Sequence, residues 1–226
     1  MTGGPLRLII FDVDGTLVDS QASIVAAMAH AFASEGLPLP ERAAILGVVG
    51  LSLEVAMPRL VPAQTADTHA RLVQAYKGAF MQDRTAQGAR HAPLYPYARA
   101  TLDQLAATPE NILGLATGKS QRGLDALLES HGLTSLFTTR QVADHHPSKP
   151  HPSMLLAALS ETGIAAQDAV MIGDTSFDME MAQAAGIAGI GVSWGYHPPA
   201  ALTLARTVIG DFRDLPACLD QLWGSR

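Results

Sequence analysis

The feature that most constrains this chain is a set of short, branched apolar runs, each stopping at a polar loop that carries aspartate, glycine or threonine. Leu6 to Phe11 is the first, and it ends in Asp12-Val13-Asp14-Gly15-Thr16. A brief apolar run bounded by turn residues reads as a strand buried on both faces of a parallel sheet. Asn111 to Thr117, Asp168 to Gly173 and Ile187 to Val192 have the same character, and Thr207-Val208-Ile209 is a shorter last one. Helical patterns lie between and after the later runs: Ala98 to Ala107, Arg122 to His131, Pro152 to Thr162, Phe177 to Ala185 and Leu215 to Trp223. Strands alternating with helices of this length predict βαβ units, with right-handed crossovers placing helices on both faces of the sheet.

The alternation is broken between the first and second runs. Ser20 to Ser34, Glu41 to Leu46, Leu53 to Leu60 and Ala66 to Arg84 read as helices only, stopped by Gly36-Leu37-Pro38-Leu39-Pro40 and by Pro62. The expected organisation is therefore a catalytic α/β core of residues 1–16 and 93–226, with residues 17–92 inserted after the first strand as a helical subdomain. No internal repeat or low-complexity tract interrupts it.

Composition narrows the function classes. The chain has 226 residues, 48% hydrophobic and 16% charged, which excludes a disordered or collagenous chain. A formal net charge of −6 and no Lys/Arg run argue against a nucleic-acid partner. One cysteine, Cys218, allows no intramolecular disulfide and suits a reducing cytoplasm. Met1 to Phe11 has no signal-peptide pattern, and no stretch approaches the ~20 apolar residues of a membrane span. Oligomeric state leaves no trace in the sequence.

The chemistry lies at the ends of the strands, where open α/β sheets bind ligands. Asp12 and Asp14 share a face if the first strand continues through them. Buried together they repel, and one carboxyl is raised in pKa, which calls for a cation or for a division of roles between nucleophile and general acid. In isolation the motif also reads as an acidic turn. Thr117-Gly118-Lys119-Ser120 offers a hydroxyl and backbone N–H groups for an anion at a helix start; the spacing from Gly114 is one residue short of a P-loop. Ser148-Lys149-Pro150 can present an ammonium to a phosphate or a developing oxyanion. Asp174 and Asp178, in Gly173-Asp174-Thr175-Ser176-Phe177-Asp178, supply the oxygen ligands that a hard cation such as Mg²⁺ prefers.

Taken together, FDVDGT, the Thr117 loop, Lys149 and GDTSFD resemble the four motifs of the haloacid-dehalogenase-like hydrolase superfamily, in order. The helical insert directly after the first motif resembles the cap of its phosphoglycolate-phosphatase-like branch. The resemblance runs from Leu6 to about Trp223. It implies an α/β fold, a Rossmann-like parallel-sheet core with an inserted all-helical cap. It implies that Asp12 attacks phosphorus and forms an aspartyl-phosphate, and that Asp14 protonates the leaving oxygen and then activates water. Thr117, Gly118 and Lys149 would hold the phosphoryl oxygens. Mg²⁺ would be bound by Asp12, the Asp14 carbonyl and Asp174, with Asp178 nearby.

The presence of Asp14 separates the chain from the dehalogenases, which lack an aspartate there. The insert's one lysine, Lys77, reads as a surface residue rather than a Schiff-base former. The expected substrate is a small phosphorylated metabolite, with 2-phosphoglycolate foremost. A nucleotide, pyrophosphate, a sugar phosphate, a mutase reaction and a non-catalytic phospholigand-binding role are the alternatives. Gly50-Leu51-Ser52-Leu53-Glu54 resembles the cap loop that meets substrate, making Ser52 or Glu54 a candidate contact, although Ser52 also reads as a helix N-cap. His145-His146 read as a polar loop and Met179 and Met181 as core. Trp194-Gly195-Tyr196 packs beside the crevice with no assigned role. Cap hinges are expected near Thr16–Asp19 and Ala92–Tyr97.

Overall fold

Arg7–Phe11 forms the first strand, β1, and its uninterrupted apolar run puts it at the centre of the sheet, with Leu8, Ile9, Ile10 and Phe11 all fully buried. The computed structural model describes residues 4–224, so residues 1–3 and 225–226 of the expected core range lie outside the described residues. The other strands are β2 (Asn111–Thr117), β3 (Thr139–Val142), β4 (Ala169–Gly173), β5 (Ala188–Val192) and β6 (Thr207–Ile209). All pairings are parallel, in the order β3-β2-β1-β4-β5-β6. Helices α5 (Ala98–Ala106), α6 (Gln121–Ser130), α7 (Ser153–Thr162), α8 (Ser176–Ala184) and α9 (Leu215–Gly224) connect or follow them.

Period-two alternation in β1 feeds two cores. Ile9 and Phe11 pack with Leu102 and Leu105 of α5, Leu124 and Leu128 of α6 and Leu219 and Trp223 of α9. Leu8 and Ile10 pack with Met154 and Leu155 of α7 and Met181 and Ala182 of α8. Each fully buried aliphatic or aromatic side chain contributes about 1.5–3 kcal/mol, so β1 is fixed from both faces. The expectation that Met179 and Met181 are core holds, both being buried.

Strand β3 has no counterpart in the sequence reading. Its residues, Thr-Arg-Gln-Val, carry no apolar run because it is an edge strand held by polar side chains. Gln141 Nε2 donates to Glu161 Oε2 at 2.8 Å, and its Oε1 meets His146 Nε2 at 2.8 Å. His146 also meets Ser153 Oγ at 2.8 Å, in keeping with the polar loop expected there.

Register aligns the functional edge. Phe11 stands opposite Leu115 of β2 and Ile172 of β4. Asp12 N donates to Ile172 O at 2.9 Å, so the residues leaving β1, β2 and β4 emerge side by side where the strand order diverges.

The segment between β1 and β2 is helical: α1 (Gln21–Ser34), α2 (Arg42–Leu46), α3 (Leu53–Leu60) and α4 (Ala66–Gln87). Helix α4 runs three residues past the expected end, and Thr65 caps its start by accepting from Thr68 N at 3.2 Å. Ile24, Met28, Phe32, Ile45, Met57 and Leu72 build a separate apolar cluster. The two connections to the sheet lie against one another, with Asp19 N bonded to Pro93 O and Tyr95 N to Leu17 O, each at 2.9 Å. Among the described residues no helix is long and apolar enough to cross a membrane.

Candidate active site

Four charged side chains are buried beneath the end of β1. Lys149 Nζ lies 2.9 Å from Asp12 Oδ1 and 2.7 Å from Asp178 Oδ1. Asp178 is fixed by a reciprocal capping box at the start of α8: its Oδ2 accepts from Thr175 N at 3.0 Å and Thr175 Oγ1 at 2.7 Å, while Asp178 N bonds back to Thr175 Oγ1. Asp174 accepts from Thr16 Oγ1 and from Tyr196 N, each at 2.8 Å. Gly15 and Gly195 make room for it: a Cβ on Gly15 would come within 2.2 Å of Asp174 Oδ2, and one on Gly195 within 2.1 Å of its Cβ.

The charge in this cluster does not balance. Asp12, Asp174 and Asp178 each place an oxygen within 4.8 Å of the others, and one lysine faces the three carboxylates. Asp12 Oδ2 accepts no hydrogen bond among the described residues, although it is fully enclosed. Burial pushes the Asp12 carboxyl up to about 7 against the pull of Lys149, with Asp178 and Asp14 adding repulsion. Burial, then Asp178 and Asp12, hold the Asp174 carboxyl well above the usual range. Burial alone would lower the Lys149 ammonium, but Asp12 and Asp178 outweigh that desolvation and hold it above the ordinary lysine value. Carboxylates with an orphaned oxygen and raised affinity for protons have the chemistry of a cation site, and all-oxygen donors suit a hard divalent ion.

Asp14 sits apart from this cluster. The expected shared face does not form, because the chain turns sharply after Asp12: Leu17 N and Val18 N both bond to Val13 O. Lys119 Nζ instead lies 2.9 Å from both Asp14 oxygens, and Ser20 Oγ donates to Oδ1 at 2.5 Å. Ser20 Oγ also meets Tyr196 OH at 2.9 Å. Tyr196 therefore connects the two carboxylate groups, through its N–H on Asp174 and its hydroxyl on Ser20. The tripeptide left without a role at the sequence level acquires one here, and Trp194 adds an Nε1–H bond to Thr16 O at 3.1 Å. The sequence reading gives Lys119, Ser20 and Tyr196 no role in the site, although Tyr196 stands in the tripeptide it names. Lys119 stood inside a quoted motif, but nothing in the spacing says that it reaches across to β1.

Thr117 is buried, and its Oγ1 accepts from Lys119 N at 3.2 Å. The insert closes onto this edge. A Cβ on Gly118 would lie 2.7 Å from Gly50 O, and Ser52 N donates to Ser148 Oγ at 2.9 Å. Ser52 begins α3 without a side-chain capping bond. Between sheet and insert lies a cavity of about 930 Å³, walled by Asp12, Asp14, Thr117 and Lys119 from the sheet and by Ser52, Tyr76 and Phe80 from the insert. Asp174, Asp178 and Lys149 are not among its wall residues and lie behind Asp12. Lys77 borders the cavity but is 43% exposed and pairs with Glu54 at 3.1 Å, which is the surface behaviour expected of it.

Comparison with known proteins agrees with the fold. The profile of the haloacid dehalogenase-like hydrolases matches residues 9–192. A probable phosphatase, IndB, of Dickeya dadantii is 38% identical over 88% of this chain and 86% of its own length. Phosphoglycolate phosphatase of Yersinia pestis is 32% identical over 93% of this chain and 91% of its own. The crystal structure of a hydrolase from Pseudomonas syringae superposes with a TM-score of 0.83 at 26% identity, covering 95% of this chain and 98% of that one. The chain belongs to the haloacid dehalogenase-like hydrolase family. Within that family it is an enzyme similar to the phosphatases, those named phosphoglycolate phosphatase included.

Proposed function

We propose that this protein is a Mg²⁺-dependent phosphomonoester hydrolase that works through an aspartyl-phosphate on Asp12. The observation that carries the reading is the buried Asp12 carboxylate: it borders the cavity, pairs with Lys149 through one oxygen and leaves the other without a hydrogen bond. Such a group is positioned to attack phosphorus once it is ionised. Lys149 favours the ionised form against the effect of burial and, with Thr117 and the Gly118 backbone, holds the phosphoryl oxygens. Asp14 gives a proton to the leaving alcohol and then takes one from the water that splits the acyl-phosphate. Asp12, Asp174 and the Asp14 carbonyl, with Asp178 behind, would hold Mg²⁺, which supplies positive charge against the phosphoryl group. Phe80 and the Gly50–Ser52 loop, packed over this edge, limit the entry of water.

The names of the relatives favour a small phosphorylated metabolite, 2-phosphoglycolate first, and the absence of a membrane-crossing helix among the described residues and the acidic charge fit a cytoplasmic enzyme. Phosphate release from a panel of phosphorylated metabolites, with Mg²⁺ and with EDTA, tests the reading. Mg²⁺-dependent release from one or two compounds supports it; release from none by folded protein rejects it.

A further inference from the structure

Four cations outside the phosphoryl site border the cavity: Lys77, which pairs with Glu54, and Lys119, Arg84 of α4 and Arg122 of α6. Arg84 Nη1 reaches Arg122 O at 3.5 Å, which sets the two arginines beside each other across the boundary between insert and sheet. Neither forms an ion pair with a carboxylate among the described residues. The carboxylates of the cavity are all answered elsewhere: Asp12 by Lys149, Asp14 by Lys119 and Ser20, Glu54 by Lys77, and Asp144 by Gln121 N at 2.8 Å. Arg84 and Arg122 are thus left without a carboxylate partner among the described residues, in a chain whose net charge is −6, while Lys119 is paired with Asp14. Lys119 is held there rather than dangling. Its side chain is 8% exposed, and its ammonium sits 4.9 Å from the centre of the Phe80 ring.

We propose that Lys119, Arg84 and Arg122 form a subsite for a second anion on the leaving-alcohol side of the substrate. The preferred substrates are then phosphomonoesters whose alcohol carries a carboxylate or a further phosphate. This inference rests on the phosphatase reading and adds the residues that read the alcohol. The cavity is large enough to hold an organic group beyond the phosphoryl, and arginine forks match the planar oxygens of a carboxylate or phosphate. Lys119 touches both Asp14 and this subsite, so a correctly bound second anion lies close to the group that serves the leaving oxygen.

Calorimetric binding to the Asp12→Asn protein with Mg²⁺ tests the subsite apart from turnover. The probes are 2-phosphoglycolate and ethyl phosphate, which differ in the second anion. The anionic ester should bind roughly 10- to 100-fold more tightly, as charge-assisted hydrogen bonds imply. In the same background, Arg84→Gln with Arg122→Gln should bring the ratio most of the way to one, with an unchanged thermal midpoint. Equal binding of the two esters, or a ratio that survives both substitutions, overturns the subsite. Failure of the wild-type protein to hydrolyse any ester would instead reject the phosphatase reading, while the binding ratio still decides the subsite.

Discussion

The two walls of the cavity are built on opposite terms. On the sheet side, Asp12 and, behind it, Lys149, Asp174 and Asp178 are almost entirely sealed, and nearly every polar atom has a fixed partner. On the insert side, Tyr76, Phe80 and Arg84 are half-buried, and the arginine pairs with no carboxylate among the described residues. Sealed charges interact strongly because little water screens them. Half-exposed ones are weaker and easier to rearrange. On the proposed function, the difference gives the phosphoryl group to the sealed side and the variable alcohol to the half-exposed one.

Substitutions on the sealed wall should do the most damage. Asp12→Asn removes the nucleophile while Lys149 keeps Asp178 as a partner, so phosphate release should fall by at least ~10⁴-fold with circular dichroism unchanged. Asp14→Asn should slow turnover by ~10²–10⁴-fold, and least for esters with good leaving groups such as 4-nitrophenyl phosphate. An equal loss for poor and good leaving groups would remove Asp14 from proton transfer. Lys149→Met leaves two buried carboxylates facing each other without a cation; urea denaturation of the metal-free protein should show a loss of about 3–5 kcal/mol.

The sealed wall also predicts how metal and pH combine. Burial pushes the Asp12 carboxyl up to about 7 in the folded protein, from an ordinary value of 3.8. The folded state therefore binds the proton more tightly, and this favours folding fully at acid pH. That contribution is lost as pH rises through the folded value. A cation needs the ionised form and competes with the proton. Mg²⁺ should accordingly raise the thermal midpoint more at about pH 8 than at about pH 5, with up to ~2.7 kcal/mol of stabilisation at a hundred times its Kd. A Mg²⁺ effect larger at the acid pH would contradict the cluster as the cation site.

The smallest expected effect lies at the seam between the walls. Ser148→Ala deletes the acceptor of the Ser52 N–H, at a cost of about 1 kcal/mol, or roughly a fivefold rise in KM with little change in kcat. A large fall in kcat would instead give Ser148 a part in the chemistry.

Most of the sheet was legible in the sequence because parallel strands buried on both faces must be apolar throughout. Leu8 to Phe11 and Val170 to Ile172 could hardly be anything else. Strand β3 was not legible, since an edge strand stabilised by Gln141, Glu161 and His146 has no apolar signature. The site divides in the same way. Asp12, Asp14, Thr117, Lys149, Asp174 and Asp178 follow strand ends at recognisable spacing, and the fold brings them to one edge. Lys119, Ser20 and Tyr196 act across long separations in the chain. Tyr196 lies 176 residues from Ser20, and only the pairing of β1 with β4 and of β4 with β5 brings them together.

The covalent role of Asp12 is tested most directly by acid-quenching the enzyme during turnover of a phosphoester and mapping the protein by peptide mass spectrometry. A single phosphoryl group on the peptide that carries Asp12, absent in Asp12→Asn, is the predicted result. Sustained turnover with no phosphorylated peptide, or with phosphate on another residue, would contradict it.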